Sequence, residues 1–149
     1  MAVNPIPKGY HTITPFLVVK DARRLIDFMQ KAFDAEVMHV SENDGVVMHG
    51  EVKIGNSILM VAEENVNAPA SPTGLYLYVT DTDTMYKKAI AAGGVSIMEP
   101  ADQFYGDRNA GVKDFAGNSW WIATHIEDVS PEEIKRRMTE MNEKRKAQE

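Results

Sequence analysis

The stretch 116-AGNSWWIATH-125 sets two tryptophans side by side in a run that reads as a β-strand, and it echoes 54-IGNSILMVA-62. Gly-Asn-Ser is thus written twice, each time ahead of apolar residues. The echo extends further along the chain. Val19 and Asp21 match Val79 and Asp81 at a shift of 60, and Gly55, Asn56 and Ser57 match Gly117, Asn118 and Ser119 at a shift of 62. A nearly constant interval between such separated landmarks predicts a tandem duplication of one supersecondary unit.

Working outward, each copy has the same order of patterns. In the first, 11-HTITPFLVV-19 is β-branched and aromatic, and 20-KDARRLIDFMQKAF-33 is helical. Ala22, Leu25, Ile26, Met29, Ala32 and Phe33 recur at three- and four-residue spacing and so share one helix face, which is expected to pack on a sheet. Around 42-ENDG-45, the runs 35-AEVMHVS-41 and 46-VVMHGEVKI-54 predict a hairpin with positive φ at Asp-Gly. The run 57-SILMVAEE-64 adds a strand. The polar segment 64-ENVNAPASPTG-74 reads as a linker. The second copy gives a strand at 75-LYLYVTD-81, a helix at 82-TDTMYKKAIAAGG-94, and strands near 95-VSIMEPA-101, 108-RNAGVKD-114 and 119-SWWIATH-125. Its helix is expected to bury Met85, Tyr86, Ala89 and Ile90, with Gly93 as the stop.

The fold class expected is therefore α+β. Two βαβββ modules occupy residues 10–64 and 74–126 with a linker at 65–73, all within a domain 1–129, and a helical tail covers 130–149. In the tail, Ser130 suits the N-cap, Pro131 the first helical position and Glu133 a capping box. Ile134, Met138 and Met141 form a thin apolar stripe, and the helix is expected to fray beyond Asn142.

Composition narrows the function classes. The chain has 149 residues, 44% hydrophobic and 26% charged, with a formal net charge of −6 and no cysteine. Thiolate chemistry and disulfides are excluded, and the negative balance argues against nucleic-acid binding. No apolar run is long enough to cross a bilayer, and the N-terminal residues lack a signal-type apolar core, so a cytoplasmic location is expected. No phosphate loop, nucleophile elbow or Ser-His-Asp order is present.

The marks VVKDARRLIDFMQKAF (18–33), VTDTDTMYKKAIAAGG (79–94) and KDFAGNSWWI (113–122) together resemble the vicinal oxygen chelate superfamily, the glyoxalase/bleomycin resistance/dioxygenase fold, over residues 10–126. GYHTITPFLVV, DQFYGDR and ATHIEDVSPEEIKRRM are closer to its glyoxalase-like, phosphonate-operon-like subgroup. The resemblance implies modules curled around a cavity, a homodimer and, in metal-dependent members, a histidine or glutamine on the first strand of a module with a glutamate on its last. Those positions fall here on Thr14, Gly74, Trp121 and either Leu59 or Met60. None is an expected ligand, so no metal and no cofactor is expected, and Trp121 stands where a carboxylate would.

Strand alternation then nominates the side chains facing the cavity. On 46–54, Met48, Val52 and Ile54 suit the helix-covered side, which leaves His49 and Glu51 as a candidate general base with its orienting carboxylate, or as a structural pair. Thr14, Phe16, Tyr76, Tyr78 and Trp121 form a candidate aromatic ligand site. In the loop 102-DQFYGDR-108, Tyr105, Asp107 and Arg108 next to Gly106 are candidate lid residues, Arg108 binding an anionic group or else pairing internally with an aspartate. His11 and His39 suit the surface, and His125 suits contact with the tail helix. The leading expectation is a protein that binds a small aromatic or anionic molecule without the usual metal. The alternatives are an isomerase or lyase acting on a small oxygenated substrate through His49 and Glu51, and an interaction protein with a vestigial cavity.

Overall fold

The computed structural model describes residues 2–149. The first module runs β1 (Phe16–Val19), α1 (Ala22–Phe33), β2 (Glu36–Asn43), β3 (Val46–Ile54) and β4 (Ser57–Glu63). The second runs β5 (Gly74–Tyr78), α2 (Thr82–Ala91), β6 (Val95–Asp102), β7 (Asp107–Lys113) and β8 (Ser119–His125), and α3 (Pro131–Lys146) follows. Each module forms a four-stranded mixed sheet, ordered β1-β4-β3-β2 and β5-β8-β7-β6, so the expected duplication and α+β class hold. In both sheets the first strand pairs with the fourth in parallel, and the remaining pairs are antiparallel.

Corresponding devices hold the two helix starts. The Glu63 carboxylate of β4 accepts from the Asp21 and Ala22 amides at 2.8 Å each. In the second module Thr124 Oγ1 of β8 accepts from the Thr82 amide at 3.1 Å. Each satisfies helix-terminal N–H groups that lack an intrahelical partner. The two Gly-Asn-Ser copies diverge at this level. Gly55 and Asn56 make a two-residue hairpin loop with Gly55 at φ 56°, whereas residues 114–118 form a longer turn around Gly117 at φ 85°. In that turn the Asp114 carboxylate accepts from Ala116 N, Asn118 N, Asn118 Nδ2 and Trp120 Nε1 at 2.8–3.0 Å.

The modules meet through their helix-covered faces. Phe33 of α1 packs against Trp120 of β8 with ring centroids 4.9 Å apart and the rings tilted by 41°, and Arg24 lies 4.3 Å over the Phe115 ring. Lys88 of α2 reaches Asp34 beyond α1 at 2.5 Å. One core cluster therefore contains Leu17, Leu25, Met29 and Val61 together with Ala89, Val112 and Ile122. Both sheets turn their other faces outward.

Several expectations need correction. The first strand covers only Phe16–Val19 rather than His11–Val19; Pro15 has no N–H to give a ladder, and its carbonyl accepts from Met60 N at the strand's start. Met48 does not face the helices. A bulge sets Ser41 opposite His49 and Glu42 opposite Val47, which sends Val47 into the core and leaves Met48 40% exposed. Ile90 is also exposed, since α2 buries Thr82 and Ala89 and only half-buries Met85 and Tyr86. Ser130 caps α3, but Glu133 does not close a capping box. Its carboxylate binds Arg136 and Arg137 instead, which holds it down at about 2. The helix also continues past Asn142 to Lys146, carried by i,i+4 pairs such as Glu140 with Lys144.

Candidate functional site

Strand alternation places two sets of side chains on the outward faces. On the first sheet the register aligns Phe16, Met60 and Glu51 in one row and Val18, Ala62 and His49 in the next. Phe16 is 53% exposed, and His49 Nε2 lies 3.8 Å from Glu51 Oε1, longer than a hydrogen bond. The Glu51 carboxylate beside it, with a smaller contribution from burial, pushes the Tyr10 hydroxyl up to about 12. Thr14 precedes the strand and donates to the His11 carbonyl at 3.3 Å.

On the second sheet, Tyr76 is opposite Trp121, Trp121 opposite Gly111, Asn109 opposite Ala123 and Asp107 opposite His125. Here the polar groups form a continuous chain. Asn109 Nδ2 donates to the Tyr105 hydroxyl at 2.6 Å and to the Tyr76 hydroxyl at 3.2 Å. Tyr76 and Tyr78 donate to Asp107 Oδ2 at 2.8 and 3.1 Å. Asp107 Oδ1 lies 2.9 Å from His125 Nδ1, and Asp128 Oδ1 lies 2.7 Å from His125 Nε2. A ring nitrogen facing a carboxylate on each side donates from both, so the network favours the imidazolium form and raises the His125 pKa. Burial works against ionisation of Asp107. The hydrogen bonds from His125, Tyr76 and Tyr78 outweigh it, and its carboxyl sits below the usual range.

Beside this chain lies a cavity of about 360 Å³ lined by Tyr76, Met98, Gln103, Tyr105, Asn109 and Trp121. None of these side chains is charged. Trp121 lies against Gly111, where an added Cβ would come within 2.6 Å of the indole, so the ring takes the space a side chain would fill. The loop carrying Tyr105 is fixed from behind. Gly106, at φ 101°, gives its carbonyl to the Ile126 and Glu127 amides, and any Cβ there would overlap the Glu127 carbonyl.

The expected site residues divide accordingly. Tyr76, Tyr105 and Trp121 converge on this cavity, and Tyr78 adjoins it with its ring 5.3 Å from that of Tyr76. Thr14, Phe16, His49 and Glu51 belong to the first module, and no strand of one sheet comes within 8 Å of a strand of the other between Cα atoms. Arg108 has the opposite parity to Asp107 and Asn109. Its guanidinium forks onto Asp83 at 2.8 Å and bonds Asp102 at 3.0 Å, which is the internal pairing rather than an open anion clamp. His125 contacts Asp107 and Asp128 rather than the tail helix. Asp107, expected in a lid, instead begins β7 and bonds Tyr76, Tyr78 and His125, and Asn109 and Gln103 were not among the candidates, although continuing the alternation back from Gly111 places Asn109 and Asp107 on its face.

A second cleft, of about 880 Å³, runs along the unpaired edge of β5. It is faced by Pro15, Ile54 and Leu59 of the first module and by Leu75, Leu77 and Met85 of the second.

A glyoxalase/bleomycin resistance protein/dioxygenase superfamily model matches residues 9–122. The chain belongs to that superfamily. A Mycobacterium bovis relative is 31% identical over 151 residues, covering 93% of this chain and 97% of its own. Among solved structures, TioX from Micromonospora sp. ML1 aligns with a TM-score of 0.68 at 20% identity, over 78% of this chain and 99% of its own. The PhnB protein from Bacillus cereus aligns at 0.62 with 23% identity, over 76% and 99%. At these identities the two structures speak for the fold alone. The superfamily's metal positions do not fit a metal here. Leu59 faces the helices, Met60 sits between Phe16 and Glu51, Gly74 has no side chain and Trp121 covers Gly111. Among the described residues, no three His, Cys, Asp or Glu side chains are grouped to hold an ion.

Proposed function

We propose that the protein binds a small flat molecule in the aromatic cavity of its second module, independently of a metal ion. The observation carrying this reading is the uncharged pocket in which Tyr76, Tyr105 and Trp121 surround the Asn109 amide. Flat rings gain from stacking and edge contacts with such side chains. With Arg108 committed to Asp83 and Asp102, the aromatic part of the expected ligand keeps its support, whereas an anionic group has no cation in the cavity to meet.

The test uses the two tryptophans. Trp120 is fully buried and Trp121 lines the cavity. A panel of flat heteroaromatic compounds should raise the melting temperature and quench tryptophan emission, and Trp121→Phe should abolish the quenching while keeping the fold. A panel that neither shifts melting nor quenches would remove the support for this reading.

The same reading includes a homodimer. Phe16 and Tyr78 are 53% and 67% exposed on outward faces, β1 and β5 each pair on one side only, and an apolar cleft follows β5. A second copy would bury these groups. Light scattering coupled to size exclusion would return twice the 16.6 kDa chain mass.

A second reading, an isomerase or lyase on a small oxygenated substrate, draws on Glu51, which His49 approaches to 3.8 Å. Full turnover by His49→Ala on an identified substrate would dismiss it.

A further inference from the structure

The outward face of the second sheet contains an acceptor with nothing to accept. Asn109 is 3% exposed, and its Oδ1 is the buried side-chain polar atom without a hydrogen-bond partner among the described residues. Buried acceptors are rarely left unmade, because the lost solvation is not recovered. Such an orphan beside a cavity marks a place where a ligand completes the bonding.

The direction in which this oxygen points is fixed by its neighbours. Asn109 Nδ2 donates to the hydroxyls of both Tyr105 and Tyr76. Tyr76 has one hydroxyl proton, and it goes to Asp107. Rotating the Asn109 amide by half a turn would let Tyr105 donate to its oxygen, but it would set that oxygen against a Tyr76 oxygen that has no proton left to offer and would break both Nδ2 bonds. The chain Asp107–Tyr76–Asn109 thus holds the NH₂ group on the tyrosines and the carbonyl away from them. Two of the lining side chains, Gln103 and Met98, are tethered to each other by a weak 3.9 Å contact of the Gln103 amide with Met98 Sδ. A ligand that reaches the buried Asn109 oxygen has to displace a side chain, and this weakly held pair borders the same cavity.

We infer that Asn109 Oδ1 anchors the ligand, and that the site selects an uncharged flat molecule offering an N–H or O–H from its edge, such as a phenol, lactam or aromatic amine. The inference deepens the binding reading above and rests on it. Charge supports the same class. The six lining side chains are neutral, and the adjacent Asp107 carries a negative charge balanced by its own histidine. A carboxylate placed against Asn109 Oδ1 would meet acceptor with acceptor.

Three probes of one shape decide the matter by calorimetry on the full chain, with the ¹⁵N side-chain amide signal of Asn109 followed in parallel. They are 2-naphthol, which donates, 2-methoxynaphthalene, which cannot, and 2-naphthoate, which is anionic. The expected result is 2-naphthol binding at least about tenfold more tightly than the ether, since the ether leaves the acceptor unpaired. The naphthoate should bind no better than the ether. Asn109→Leu should remove the difference between 2-naphthol and the ether, so that the two bind this variant alike. Equal affinity of 2-naphthol and the ether for the wild-type protein overturns the anchor while leaving the aromatic pocket standing. Tighter binding of the naphthoate overturns the selection for neutral ligands, and silence from all three overturns the binding reading itself.

Discussion

The hydroxyl of Tyr76 donates to Asp107 across 2.8 Å, and through this bond the half of the second sheet that carries Asn109 is tied to the half that carries His125. Tyr76→Phe removes one donor from Asp107, which keeps Tyr78 and His125, and one acceptor from Asn109, which keeps Tyr105. The expected loss is about 1 kcal/mol, the net worth of an ordinary hydrogen bond with partners remaining on both sides. Urea unfolding checks it. A loss above about 3 kcal/mol would mean that Tyr76 carries packing rather than bonding.

His125 predicts a loss of stability toward alkaline pH. Its folded pKa is raised above the ordinary 6.5 by its bonds to Asp107 and Asp128, so its contribution is complete below 6.5 and disappears as pH rises through the raised value. Asp107 is shifted the other way, so its contribution is present above 3.8 and fades only as pH falls below that. The urea midpoint should therefore decline from pH 6.5 to 9 in the wild-type protein and hold level in His125→Asn. A wild-type midpoint that stays flat or rises over that range contradicts the assignment.

Asp114 gathers four N–H donors in the turn before β8. Replacing it with alanine strands several of them in a buried site, which should cost roughly 3–5 kcal/mol. Thermal melting and urea unfolding measure this, and a cost under about 1 kcal/mol would show that the turn holds itself.

Arg108→Met should separate an internal brace from an anion clamp. The fork onto Asp83 is open to solvent, so its removal should leave stability nearly unchanged. Ligand affinity should not change, because the guanidinium points to α2 and not into the cavity. A selective loss of anionic ligands in this variant would restore the clamp.

The modular plan was legible because it is written locally. Apolar spacing gave α1, Asp-Gly gave the hairpin turn with Asp44 at φ 50° and Gly45 at φ 78°, and the repeated landmarks gave the duplication. That Tyr76 and Trp121 share one sheet face was legible because two-residue alternation is also local. The association of the modules was not. It depends on Phe33 meeting Trp120 across 86 intervening residues of chain, and this leaves Phe16, His49 and Glu51 on a different sheet from Tyr76. Asp107 was misplaced and Asn109 missed for a related reason. Reading 102–108 as a lid grouped Asp107 with Arg108, whereas β7 begins at Asp107 and sends the two to opposite faces. A bulge such as the one at Met48 leaves no mark in the pattern, since it depends on the partner strand.

The tandem tryptophans also raise a question of registry. A strand that slipped by one residue would still offer an indole to the core and an indole to the outside, so greasiness alone could not tell the two arrangements apart. Asp114 can, because only one of the two rings can bring its N–H to that carboxylate. The Asp-Phe-Ala-Gly-Asn turn therefore acts as a vernier for β8. By choosing which tryptophan goes inward, it also decides which one is left for the cavity.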